Sequence, residues 1–187
     1  GTARSYSYDN LTTAARARLA QVFEHEVAVH LVTTGTAANG LALSAATPPY
    51  GAVICHAEAH IAVDECNAPE MFIGGGKLIG IHGRGEKITP AEMANVLKGF
   101  MRGEHDPKPA TISITNASEA GTVYTPAEVR ALADLAHGRG MKLHMDGARF
   151  ANAVASLGCS PAALTWQAGV DIMSFGGTKN GGMMLEA

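Results

Sequence analysis

Basic runs are missing from these 187 residues. No stretch of five or more Lys and Arg occurs, and 14 basic side chains stand against 17 acidic ones for a net charge of −3. Such a chain offers no ready surface for a phosphate backbone, so nucleic acid is not expected as a partner. Long apolar runs are missing too. Nothing approaches the roughly 18 uninterrupted apolar residues of a membrane helix, so no membrane span is expected. The opening at Gly1-Thr2 carries no leader pattern, and no signal peptide is expected there. Cysteine is scarce and odd in number: Cys55, Cys66 and Cys159 show no C-x-x-C spacing. That suits free thiols in a reducing, cytoplasmic setting.

Apolar residues make up 47% of the chain and charged ones 17%, which points to a globular domain with a large interior. At this length one good-sized domain is expected. The start lacks Met and the chain stops eight residues after Lys179, which reads as a domain trimmed from a longer protein.

Helix and strand signals alternate. Leu11, Ala15, Leu19 and Val22 recur at helical spacing across 11–23. Residues 26–32 read as a buried strand, and 36–46 as a helix closed by Thr47-Pro48-Pro49. A strand over 53–55, a helix from about Ala59, and strands over 77–81, 110–115, 142–145 and 171–174 follow. Thr89-Pro90-Ala91-Glu92 and Thr125-Pro126-Ala127-Glu128 are legible helix starts, with Thr capping the third helical amide and Glu reaching back to the cap amide. Ser160-Pro161 repeats half of that device. Strands separated by helices imply parallel pairing, and ligands in such sheets collect beyond the carboxyl ends of the strands.

Three motifs stand at such ends. Thr34-Gly35-Thr36 follows the segment 27–32; it is either an ordinary strand-to-helix turn or a place where the Gly35 and Thr36 amides hold a phosphate. It lacks the Gly-Lys-Ser/Thr end of a P-loop and the spacing of a dinucleotide turn. Asp146, opening Asp146-Gly147-Ala148-Arg149, is either a helix cap for Gly147 onwards or a carboxylate that keeps a ring nitrogen protonated. The Arg149 fork suits a carboxylate taken bidentately, and equally an ordinary ion pair. Lys179 lies in the Gly-rich turn 174–182 beyond the last strand; it is either a surface lysine or an imine-forming amine, the latter needing a low-dielectric pocket that favours its neutral form. His60 is either a packed histidine or one that stacks on a ring and takes a proton. Cys55-His56-Ala57-Glu58 contains H-x-E, and His56 and His60 are four apart, yet the P-C-x-x-C of a zinc deaminase and the H-E-x-x-H of a metalloprotease are lacking. No metal is expected.

Thr34-Gly35-Thr36-Ala37-Ala38-Asn39, then Glu58-Ala59-His60, then the run from His144 through Asp146-Gly147-Ala148-Arg149 to Ala153, then Ser174 to Gly181 together resemble the low-specificity L-threonine aldolase family. That family is a branch of the β-eliminating lyases among fold type I pyridoxal-phosphate enzymes. The likeness runs from Tyr6 to the end. It implies a three-layer α/β/α domain with a mostly parallel sheet. Residues 1–25 are then an N-terminal helical segment packed on the main domain, and 26–187 the cofactor-binding large domain without its C-terminal small domain. It also implies pyridoxal 5′-phosphate as cofactor, a small amino acid as substrate, and a homodimer or homotetramer. Lys179 becomes the lysine bonded to the cofactor and Asp146 the partner of the pyridine nitrogen. His60 becomes the stacking ring, Gly35 and Thr36 the phosphate amides, and Arg149 the clamp on the substrate carboxylate. Tyr6 and Asp9 resemble a loop near the site.

One departure bears on the chemistry. Many family members carry Glu-Asn-Thr-His where this chain has Thr115-Asn116-Ala117-Ser118, so the second histidine is absent. The reaction implied is cleavage of L-threonine or a related β-hydroxy-α-amino acid to glycine and an aldehyde, with His60, directly or through water, taking the hydroxyl proton. Another fold type I lyase or an aminotransferase uses the same Lys, Asp and turn, and a non-catalytic cofactor-binding fragment is the remaining alternative.

Overall fold

Five segments pair into one sheet in the computed structural model, which describes residues 9–183 and 185–187. They are β1 (Gly51–His56), β2 (Lys77–Ile81), β3 (Lys108–Thr115), β4 (Lys142–Gly147) and β5 (Ile172–Phe175). The spatial order is β2-β1-β3-β4-β5, and every neighbouring pair is parallel. Parallel strands send all their following loops to one edge. The order also reverses between β1 and β3, the kind of place where open α/β sheets form a crevice.

Side-chain alternation splits the core in two. Ile54, Ile112, Ile114, Leu143 and Met145 point to one face and join Met93, Val129, Leu132, Phe150 and Leu164 in the larger core. Those partners come from α5 (Pro90–Leu97), α6 (Pro126–His137), α7 (Phe150–Leu157) and α8 (Pro161–Leu164). Val53 and Cys55 point the other way, to Leu43, Ile61 and Ile73. That face is covered by α2 (Gly35–Ala46), α3 (His60–Val63) and α4 (Ala68–Ile73). The arrangement is the expected three-layer α/β/α domain. The first helix, α1 (Asn10–Val22), leads into Phe23, which is buried in the larger core.

Both Thr-Pro-Ala-Glu starts form full capping boxes. Thr125 Oγ1 accepts from the Glu128 amide at 3.3 Å while Glu128 Oε2 accepts from the Thr125 amide at 2.8 Å. Thr89 and Glu92 do the same for α5. Ser160 caps α8 by accepting from the Ala163 amide. Close packing of α2 on α4 depends on Gly40, where an added Cβ would lie 2.6 Å from the Phe72 ring.

The segment 26–32 does not join the sheet. Its alternation is real, with Val29 buried, Val27 half-buried and their neighbours exposed, but its ladder contact is confined to an isolated bridge from Val32 to Glu186. Alternation reports which side chains find apolar cover; a strand also needs a partner backbone along its length. Tyr6 lies outside the described residues.

Candidate active site

The sheet face beneath α2 is polar at its centre. β3 and β4 turn their apolar residues toward α6, which leaves Thr111, Ser113, Thr115, His144 and Asp146 facing α2. Burial obliges each to find a partner. Thr111 Oγ1 lies 2.8 Å from Thr47 Oγ1, and His144 is held between Ser113 Oγ at 2.8 Å and Ser174 Oγ at 3.1 Å. Burial pushes the His144 imidazole well below its ordinary value, while the Asp146 charge resists that fall.

Asp146 stands near the carboxyl end of β4 and is 3% exposed. Its Oδ1 accepts from the Ala148 amide at 3.0 Å, which closes a local turn; the helix cap read from the sequence is not formed, because residue 147 is still in β4 and α7 begins only at Phe150 with Arg149 at its N-cap. Its Oδ2 does something else. It accepts from Asn39 Nδ2 at 3.0 Å, and that same nitrogen donates to Glu65 Oε1 at 2.7 Å. Glu65 Oε1 is also 2.8 Å from His60 Nδ1. Asp146, Asn39, Glu65 and His60 therefore form one hydrogen-bonded chain from β4, through α2, to the start of α3. Burial drives the Glu65 carboxyl up; the hydrogen bonds from Asn39 and His60 work against that, and the Asp146 charge adds to it.

Arg149, directly before α7, is already engaged: its Nη1 donates to Glu119 Oε1 at 2.8 Å. Arg149 holds the Glu119 carboxyl below the usual carboxylate range, and the charges of Lys179 and His60 act in the same direction. Glu119 thus lies within electrostatic reach of three of the expected site residues. Ser118, in the place of the missing histidine, is buried and spent on its own turn, its Oγ 2.8 Å from Thr122 Oγ1. The group in that loop that reaches Arg149 is Glu119.

Lys179 is exposed in the short 3-10 turn Thr178–Asn180 that follows β5, a surface position in this chain and not the low-dielectric pocket expected for it, because the turn has no buried residue. That turn is tied to the Asp146 loop: the Gly176 amide donates to Gly147 O at 3.1 Å, and Asn180 Nδ2 donates to Gly176 O at 3.2 Å. The approach is close enough that a Cβ on Gly147 would come within 2.8 Å of Ser174 O, which accounts for the glycine after Asp146. Asp146 and Lys179 leave adjacent strands at the same edge of the sheet.

Gly35 and Thr36 open α2 as expected. Thr34 satisfies the amides of Ala37, by its side chain, and Ala38, by its carbonyl. Neither bond takes the Gly35 or Thr36 amide, so both remain for an anion. A carboxylate already sits nearby, since Glu186 Oε2 is 4.0 Å from the position of a Cβ on Gly35. Asp9 caps α1 through Thr12. His56 is engaged by backbone, with the Glu58 amide 3.2 Å from Nδ1 and Gly83 O 3.2 Å from Nε2. Among the described residues no three His, Cys, Asp or Glu side chains gather as a metal site.

The residues fit a pyridoxal phosphate. The Asp146 carboxylate has spare acceptor capacity for a ring N–H, Asn39 Oδ1 and Glu65 Oε2 are buried without hydrogen-bond partners, and an amine, two helix-start amides and a guanidinium stand around the same edge. Sequence reasoning missed three members of this group. Asn39 was legible as a polar residue inside an otherwise small, apolar helix, and Glu65 as a carboxylate five residues after His60. Glu119 had no signal beyond its place next to Ser118.

Similarity to known proteins agrees with this geometry. The chain is 47% identical over 188 residues to the low specificity L-threonine aldolases of a Pseudomonas species and of Pseudomonas aeruginosa. Each alignment covers all of this chain and 54% of the relative, so the chain spans about half the length of the curated relatives it matches. The structure of threonine aldolase from Leishmania major matches with a TM-score of 0.90 at 30% identity, over 99% of this chain and 54% of that one. An alanine–glyoxylate aminotransferase from Nostoc matches with a TM-score of 0.63 at 18% identity, over 93% and 41% of the two chains, and shares the fold alone. A family model described as beta-eliminating lyase matches residues 1–187. A parallel sheet whose loop edge gathers Asp146, Arg149, His60 and Lys179, together with a match along the whole length, leads to one conclusion: the chain belongs to the beta-eliminating lyase family.

Proposed function

We propose that this chain carries the reaction site of a pyridoxal-phosphate-dependent aldolase that cleaves L-threonine or a related β-hydroxy-α-amino acid to glycine and an aldehyde. The observation that carries the reading is the buried Asp146 carboxylate, linked through Asn39 and Glu65 to His60 and standing one strand from the Lys179 turn. The names and 47% identity of the two Pseudomonas relatives support it. When bound, the cofactor supplies an electron sink for the pair left on Cα as the Cα–Cβ bond breaks.

The chain's own residues do the rest. Lys179 would hold the cofactor through its amine, Asp146 would keep the ring nitrogen protonated, and the Gly35 and Thr36 amides would hold the phosphate. Arg149 takes the substrate carboxylate, exchanging Glu119 for it. With His60 Nδ1 engaged by Glu65, Nε2 is the nitrogen that accepts the β-hydroxyl proton. General-base help of this kind is worth roughly 10²–10⁴-fold in rate.

The reading extends to a segment 1–25 packed on a cofactor-binding domain 26–187, supported by Leu19, Val22 and Phe23 on the larger core. It extends also to a homodimer or homotetramer, supported by Leu41, Met71 and Phe72 left exposed on α2 and α4. A cytoplasmic location is supported by three free cysteines. No helix among the described residues is long and apolar enough to cross a membrane.

The test is to load the purified protein with pyridoxal phosphate, reduce with borohydride and map the labelled peptide. Label on Lys179, with release of glycine and acetaldehyde from L-threonine in the unreduced protein, is expected. Label on Lys77 or Lys142 would mean the wrong amine was chosen. Release of a keto acid in place of glycine would make the protein an aminotransferase.

A further inference from the structure

We propose that Glu65 is a positioning residue of this site: its Oε1 fixes His60 as the Nδ1–H tautomer and, through the single Asn39 amide nitrogen, ties that ring to the Asp146 carboxylate. The inference rests on the aldolase reading above and deepens it.

The geometry leaves few choices. Two donors converge on Glu65 Oε1, Asn39 Nδ2 at 2.7 Å and His60 Nδ1 at 2.8 Å. An oxygen that already accepts from an amide N–H and lies this close to a ring nitrogen is best satisfied by a second N–H, so His60 carries its proton on Nδ1. The Glu65 side chain is fully shielded from solvent while that of His60 is 28% exposed. Water can therefore reach the ring but cannot compete for its Nδ1 partner. Asn39 spends its amide nitrogen on both carboxylates, 2.7 Å from Glu65 and 3.0 Å from Asp146. Both of its N–H groups are thereby committed, so a shift of His60 is felt at Asp146 through a chain without slack. A buried carboxylate of this kind is costly to keep unless it has a task or full partners, and Glu65 Oε2 has no partner. Its placement near both the ring and Asp146 supplies the task.

Long-range imidazole ¹⁵N–¹H spectra read the tautomer in the purified protein, before and after loading with pyridoxal phosphate. The parent is expected to show His60 as Nδ1–H in both states. In Glu65→Leu, which removes both acceptors, the Nδ1–H population is expected to fall below half of its parent value. In the same variant kcat for glycine release is expected to drop ~10–100-fold, by analogy with metal-binding histidines that lose the partner of their second ring nitrogen, with KM changed less than about threefold. Glu65→Gln keeps an acceptor and should restore the tautomer. A parent spectrum showing the Nε2–H form overturns the proposal by itself, even where Glu65→Leu does not fold. So does a folded Glu65→Leu that keeps the parent tautomer and kcat. Should the tautomer respond as expected while the parent releases no glycine from any β-hydroxy amino acid, the clamp stands and the aldolase reading falls.

Discussion

Arg149 and Glu119 show how much a single pairing decides. The guanidinium that the sequence offers to a substrate is held by a carboxylate from the loop after β3, at 2.8 Å and with side-chain exposures of 30% and 24%. A half-buried pair still screened by solvent is worth up to about 1 kcal/mol, enough to compete with a substrate but not to exclude it. Glu119→Gln is expected to lower KM for the amino acid by up to ~5-fold, the upper end of that range as an equilibrium ratio, with little change in kcat. Initial-rate kinetics on L-threonine check this. A raised KM would mean that Glu119 helps to place Arg149 for substrate and does not compete with it. Ser118 was the position in this loop that sequence comparison marked as different. Its hydroxyl turns inward to Thr122, and it is the next residue, Glu119, that reaches Arg149.

At the scale of elements, α6 separates capping from burial. Its capping box satisfies two amides at an exposed turn, whereas Val129, Leu132, Ala133 and Ala136 are buried in the larger core. Thr125→Ala is expected to cost about 1 kcal/mol, a fall in Tm of roughly 2–4 °C for a domain of this size. Leu132→Ala is expected to cost about 2–5 kcal/mol. Thermal melts of the two variants should therefore separate clearly, and equal shifts would mean that the cap is carrying contacts beyond its two hydrogen bonds. The capping boxes, β2 and the start of α2 were legible because their signals are local: a Thr, a Pro and a Glu at fixed offsets act within one turn. Residues 26–32 misled for the opposite reason. A period of two is produced by one-sided burial, and the backbone partner that turns such a segment into a strand lies elsewhere in the chain.

Across the whole molecule, the polar sheet face beneath α2 links stability to pH. The folded protein holds His144 down to about 4 from an ordinary 6.5, by burial first. A depressed value means that the neutral ring stabilises the fold above pH 6.5 and that this stabilisation is lost as pH falls toward about 4. Each unit of displacement corresponds to about 1.4 kcal/mol. Glu65 works against this trend, because burial favours its neutral form and so favours the fold as pH falls. Denaturant titrations between pH 7 and 4 are expected to show declining stability in the parent and a flatter profile in His144→Gln. A parent profile that is level across this window would show that the imidazole is not held neutral.

What the sequence by itself determined is what short stretches of chain can state. The alternation of helices and strands, the parallel pairing, the edge where the loops gather, and the presence there of Asp146, Arg149, His60 and Lys179 all follow from local patterns and from the rule that parallel strands share a loop edge. Tertiary structure alone decided which groups touch. Asn39 and Asp146 are 107 residues apart in the chain, and Asn39 and Glu65 are 26 apart. Their meeting depends on how closely α2 approaches β4 and on which face of β4 carries the polar residues. Differences of a few tenths of an ångström in the distances between side chains on different elements are set by the summed packing of the whole core, which no local window contains. For that reason the residues that stand at the loop edge were readable in outline from the sequence, and the Asp146–Asn39–Glu65–His60 chain that links β4, α2 and α3 was not.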